Sequence, residues 1–96
     1  MKKYEIVFSP KALNDMEEAV EYYNRVSLGL GNRFLTDFNV IYKAIDLNPF
    51  FASVKYDDVR CAGLKKIPFS VHYTVNKSNN LVTIAAVFNT WKEPFW

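Results

Sequence analysis

The sequence predicts an α+β fold in the order β-α-α-β-β-β, with a helical hairpin packed on one face of a mostly antiparallel four-stranded sheet. Three observations carry this. Between Arg60 and Asn89, two apolar runs rich in β-branched and aromatic residues flank the polar cluster Asn76-Lys77-Ser78-Asn79-Asn80, which is the sequence form of a β-hairpin. Upstream, two stretches carry apolar residues at helical spacing and are joined by a short glycine-containing link. Before them, Tyr4 to Phe8 places Tyr4, Ile6 and Phe8 on one face, as a strand does.

The elements follow in order. Ser9-Pro10 marks a helix start: a serine oxygen accepts from free backbone N–H groups, and proline suits the first helical position. Leu13, Met16, Val20 and Tyr23 recur at helical spacing, with Ala12 and Ala19 beside them. This helix should end near Arg25 or Val26. Ser27 to Gly31 forms the link. Leu30, Phe34, Phe38, Ile41 and Ile45 then make a second stripe, widened by Leu35 and Tyr42, and Asn48-Pro49 stops it. Two helices so closely joined should pack antiparallel. Phe50 to Asp58 reads as an irregular connection that tucks its aromatic rings into the core. Val59 to Leu64 is a short strand. From Phe69 to Val75, Phe69, Val71, Tyr73 and Val75 alternate with Ser70, His72 and Thr74, so one face is buried and the other meets water or a partner. Leu81 to Phe88 is apolar on both faces apart from Thr83, as in a strand inside the sheet. The first strand joins at an edge or beside the last strand. The face away from the helices would be open, and function is expected there.

The totals bound the function. The 96 residues suit one domain over the whole chain, 1–96, and a 50% hydrophobic, 17% aromatic composition excludes disorder. No apolar run approaches the ~20 residues of a membrane span. The charged N-terminus reads as a first strand rather than a signal peptide. One cysteine, Cys61, fits a reducing cytoplasm, and one His and one Cys do not make a metal site. Residues 1–48 carry six basic and seven acidic groups, net −1, whereas residues 49–96 carry six basic and three acidic, net +3. The sheet half is therefore mildly basic, which suits a polyanion or an acidic protein partner.

Three passages in this order resemble the RelE/ParE superfamily of bacterial type II toxins: Y-E-I-V-F-S-P-K-A-L-N-D-M-E-E-A-V-E-Y-Y, then G-N-R-F-L-T-D-F-N-V-I-Y-K-A-I-D-L-N-P-F, then V-R-C-A-G-L-K-K-I-P-F-S-V-H-Y-T-V with V-T-I-A-A-V-F-N-T. They cover nearly the whole chain. The resemblance implies a cytoplasmic toxin of a plasmid-stabilisation type, neutralised by an antitoxin protein, needing no cofactor. The implied assembly is a homodimer or a toxin–antitoxin hetero-oligomer. ParE-like members poison DNA gyrase by protein contact. RelE-like members cut mRNA on the ribosome. Those nucleases are similar to one another in using Lys and Arg on the sheet with a Tyr or other acid–base group near the C-terminus. Here Ser70 stands where they carry an arginine, Asn89 and Thr90 stand where a basic residue or His is common, and no Tyr follows Tyr73. The expectation is thus a ParE-like toxin that acts by binding. The alternatives are a RelE-like endoribonuclease and a non-toxic member that still binds an antitoxin.

Arg60, Lys65, Lys66 and Lys92 form the basic set, either a solvated surface or a docking site for a polyanion or an acidic antitoxin segment. Lys65 and Lys66 are neighbours in a stretch read as extended, so they should face opposite sides, and at most one should share a site with Arg60. For a nuclease, Arg60, Lys65 and His72 are the available phosphate-binding and acid–base groups, against the plainer reading of His72 as structural. Cys61 reads as a small buried hydrophobe. Glu17, Glu18 and Glu21 read as the solvated side of the first helix. Trp91, Phe95 and Trp96 either fold back on the core or anchor a partner.

Overall fold

The computed structural model describes residues 3–90. Its elements are β1 (Glu5–Phe8), α1 (Pro10–Val26), α2 (Leu30–Leu47), β2 (Val54–Tyr56), β3 (Val59–Gly63), β4 (Phe69–Asn76) and β5 (Leu81–Asn89). The sheet order is β1-β5-β4-β3-β2, with β1 parallel to β5 and every other pair antiparallel. The α+β class and helical hairpin are as the sequence predicts, but the sheet has five strands rather than four. The extra strand lies in the stretch expected to be irregular. Val54 and Tyr56 are strand formers, and the following Asp57 takes a left-handed φ of 47° that turns the chain straight back into β3.

Local chemistry fixes the helix ends. Ser9 Oγ accepts from Ala12 N at 3.0 Å and caps α1, with Pro10 at the first position. Gly29 starts α2 from a left-handed φ of 94°, which costs a glycine little. Asn24 Oδ1 accepts from Gly31 N at 2.9 Å, tying the end of α1 to the start of α2. A Cβ at Gly31 would lie 2.7 Å from the Asn24 amide, so this close approach needs glycine.

The core lies between α2 and the sheet. Phe34, Phe38, Ile41 and Ile45 meet Phe69, Val71, Tyr73, Val82, Ile84 and Val87, and each fully buried side chain of this kind contributes about 1.5–3 kcal/mol. α1 buries mainly Ala12 and Ala19, while Leu13, expected in its apolar stripe, is exposed. α2 supplies the larger buried side chains, and α1 packs on the same core through partly buried Met16, Val20 and Tyr23.

Three polar ties position the loops around this core. Asp37, only 6% exposed on α2, accepts from Lys66 N and Ile67 N, both at 2.9 Å. That pins the turn between β3 and β4, which is also closed by Phe69 N to Ile67 O at 2.7 Å and by Thr90 N to Pro68 O at 2.7 Å. Tyr73 Oη donates to Pro49 O at 2.8 Å and holds the end of α2. The third tie is at a bulge in β5. There His72 pairs with Ala86 and Tyr73 with Ile84, leaving Ala85 as the extra residue. Ser9 Oγ donates to Ala85 O at 2.8 Å, and Val87 N donates to Asp15 Oδ2 at 2.9 Å. The first turns of α1 thus satisfy the backbone that the bulge frees.

Candidate functional site

The sheet face away from the helices carries Ser70, His72 and Thr74 from β4, as the alternation predicts. It is not open at its centre. His72 is 0% exposed and Ser70 8% exposed. The difference comes from cross-strand neighbours: the Phe88 ring meets the His72 ring edge-on at a centroid distance of 4.7 Å, and the Tyr56 ring lies 5.8 Å away on the other side. Lys11 Nζ sits 4.6 Å over the Phe88 ring.

The polar atoms inside this cover form a chain. Tyr56 Oη lies 3.0 Å from His72 Nδ1, and Ser70 Oγ lies 3.0 Å from His72 Nε2. A neutral imidazole donates once and accepts once. Assigned by acidity, the phenol donates to Nδ1, and Nε2–H donates to the Ser70 hydroxyl. Burial, with a smaller contribution from the Lys11 charge, holds the His72 pKa down to about 4, so the ring is neutral near pH 7. Burial raises the Tyr56 phenol, reinforced by Cys61 and Asp57. Burial likewise raises the Cys61 thiol, against a small lowering by Lys55, so the nucleophilic thiolate is disfavoured. The three linked groups are neutral and bonded to each other, so no imidazolium stands ready as a general acid at neutral pH.

The basic set separates. Arg60 pairs with Tyr73 in the ladder and so belongs to the helix-covered face. It is half-buried. Its Nη1 donates to Ala52 O at 2.7 Å and more weakly to Phe50 O at 3.5 Å, and its Cζ lies 5.1 Å from the Phe50 ring centroid. Arg60 thus braces the connection from α2 to β2. Lys65 and Lys66 lie beyond the other end of β3, whose run from Arg60 to Gly63 alone spans roughly 10 Å at strand rise, and neither lines the groove that holds Arg60. The chain there is a turn, not an extended strand, and both lysine side chains are exposed. Trp91, Lys92, Phe95 and Trp96 lie outside the described residues.

Two features were missed by sequence reasoning. Lys77 from the β4–β5 turn reaches the Phe50 ring at 5.3 Å, on the same ring as Arg60. The outer surface of the helical hairpin holds a groove lined by Met16, Val20 and Leu35, with Glu17 and Glu21 at its rim. Met16, Val20 and Leu35 were all read as parts of stripes facing the core, and that assumption hid the groove; the structure leaves Leu35 exposed. Among the described residues no group of three or more His, Cys, Asp or Glu could hold a metal ion, and no helix is long and apolar enough to cross a membrane.

No family model matches the sequence, and no curated protein matches it either. Solved structures do. A chain of the chromosomal ParDE TA system from P. aeruginosa superposes with a TM-score of 0.77 at 15% identity, covering 91% of this chain and 96% of that one. A chain of the intact E. coli RelBE toxin–antitoxin complex gives 0.58 at 17% identity, covering 88% and 93%. One from the RelBE2 toxin–antitoxin complex of Mycobacterium tuberculosis gives 0.59 at 11% identity, covering 93% of each. The chain therefore has the RelE/ParE fold found in these toxin–antitoxin complexes.

Proposed function

We propose that this RelE/ParE-fold chain is the toxin of a type II toxin–antitoxin pair, acts in the cytoplasm by binding rather than by cleaving RNA, and has DNA gyrase as its target. The observation that carries the binding reading is the closed centre of the sheet face. A nuclease there would present cations and an acid–base group to a phosphate. Ser70 and His72 instead are buried, neutral and bonded to each other. Arg60, the strongest phosphate binder of the basic set, belongs to the other face.

An antitoxin partner is supported by the hairpin groove and by the fold shared with ParDE and RelBE complexes. Met16, Val20 and Leu35 give an apolar floor, and Leu13 adds exposed apolar surface beside it. A surface of this kind favours a partner. The exposed Lys65 and Lys66, with Lys92, Trp91 and Trp96, complete the proposed target- or antitoxin-binding surface.

Pulse labelling after induction of the chain alone in a bacterium tests the reading. DNA synthesis should stall while amino-acid incorporation continues. Collapse of amino-acid incorporation first would overturn it in favour of an mRNA endoribonuclease. With a co-expressed antitoxin, both signals should return to normal and growth should resume.

A further inference from the structure

The brace around Phe50 has donors left over. Arg60, Phe50, Lys77 and Val54 line a groove of about 520 Å³ together with Val75, Asn76 and Asp58. Its lining comes from the α2–β2 connection, β2, the β2–β3 turn, β3, the end of β4 and the β4–β5 turn, and it shares no residue with the hairpin groove. Arg60 uses Nη1 for the Ala52 and Phe50 carbonyls. Among the described residues no acceptor meets its Nε or Nη2, and this edge of the half-buried side chain is open to solvent. The Nε–Nη2 edge of a guanidinium is a two-donor fork matched to a carboxylate. Lys77 adds a second positive charge, held over the same ring.

We propose that this groove binds a carboxylate side chain on an extended acidic segment of the antitoxin. This rests on the toxin–antitoxin reading above. The chemistry selects a protein acid over a nucleic acid. Among the described residues Arg60 and Lys77 are the only cations lining the groove, whereas nucleic-acid binding draws on a run of phosphate contacts. Asp58 stands in the same groove and leaves it a net charge of +1, which matches one carboxylate and not a run of phosphates. Phe50 offers no free platform for a base: Arg60 and Lys77 already engage its ring, and Tyr4 meets its edge at 6.0 Å. Val54 and Val75 supply apolar contact for the residues that flank the acid.

The test is an NMR titration of the full chain with acetyl-Glu-Val-Glu-Val-Glu-amide, with its glutamine counterpart, and with inorganic phosphate. The Arg60 Nε–H and Lys77 amide signals should shift and saturate with the glutamate peptide, and the glutamine peptide should bind at least tenfold more weakly. Lys77 is exposed, so its variants should fold normally. Lys77→Arg should keep the shift, and Lys77→Glu should weaken binding at least tenfold. Absence of the Arg60 shift, an equal response to the glutamine peptide, or unchanged binding by Lys77→Glu would each overturn the proposal. Tighter binding of phosphate than of the peptide would overturn it too, because the groove would then be a phosphate site. None of these readouts depends on toxicity, so their failure would leave the pulse-labelling result standing.

Discussion

Tyr73 and His72 are neighbours in β4, face opposite sides of the sheet, and are both fully buried. What they bond to differs. On the helix side, polar side chains bond the backbone of loops: Tyr73 to Pro49, Arg60 to Ala52, and Asp37 to Lys66 and Ile67. On the other side, polar side chains bond each other, in the chain Tyr56–His72–Ser70. The first arrangement fixes where the chain goes. The second closes the centre of the sheet's other face. Removing a helix-side group should therefore orphan backbone and unfold the protein readily, whereas perturbing the other side should change how stability responds to pH.

The largest effect is expected at Asp37. Its carboxylate accepts two backbone N–H groups, and Asp37→Ala would leave both without it. An unsatisfied buried donor costs about 1–3 kcal/mol, so the expected loss is about 4 kcal/mol in urea denaturation. Asp37→Asn keeps one acceptor oxygen and should lose clearly less. A loss below about 1 kcal/mol for Asp37→Ala would break the distinction between the two faces.

The opposite face should announce itself by pH. His72 has a folded pKa of about 4, below its ordinary 6.5. Between those values the unfolded chain binds a proton that the folded chain refuses. Stability from this group is thus complete above pH 6.5, falls as pH drops through that window, and reaches its minimum near pH 4. A displacement of that size is worth about 3 kcal/mol. Among the described residues the ring meets Tyr56, Ser70 and Phe88, with Lys11 beyond Phe88 and Cys61 opposite on β3. None of these side chains ordinarily titrates between pH 4 and 6.5. Urea melts of the wild type and His72→Phe across that range check this: the variant should lose most of the slope. An equal slope in both would mean that His72 is protonated when folded.

The contrast also explains what the sequence made legible. Helix starts and stops are local chemistry, so Ser9-Pro10 and Asn48-Pro49 could be read directly. Strand alternation placed Tyr73 inward and His72 outward on the right faces. It could not say that His72 would be covered, because its cover is Phe88, sixteen positions later, and Tyr56, on a strand that had not been recognised. Val54 to Tyr56 is too short for periodicity to register, and only the Asp57-Asp58 turn hinted at it. Asp37 looked like an ordinary polar residue of α2, since its partners lie 29 and 30 residues away. The basic set was grouped by nearness in sequence, but a strand carries its two ends apart. Arg60 shares the Phe50 ring with Lys77 of the β4–β5 turn rather than a site with Lys65.

The smallest stability effect separates the Lys65-Lys66 turn from the tie beneath it. Asp37 holds this turn through the backbone N–H groups of Lys66 and Ile67, and neither lysine side chain enters the bond. Both are exposed and neither forms an ion pair among the described residues. A Lys65→Ala/Lys66→Ala protein should accordingly melt within about 0.5 kcal/mol of the wild type, as surface changes do, while Asp37→Ala, one bond away, loses several. If the double variant also keeps full toxicity and antitoxin affinity, the two lysines are only a solvated tip. If it melts normally and either activity falls at least tenfold, the rigid turn presents them to a partner, and Asp37 acts on function solely by holding that turn in place.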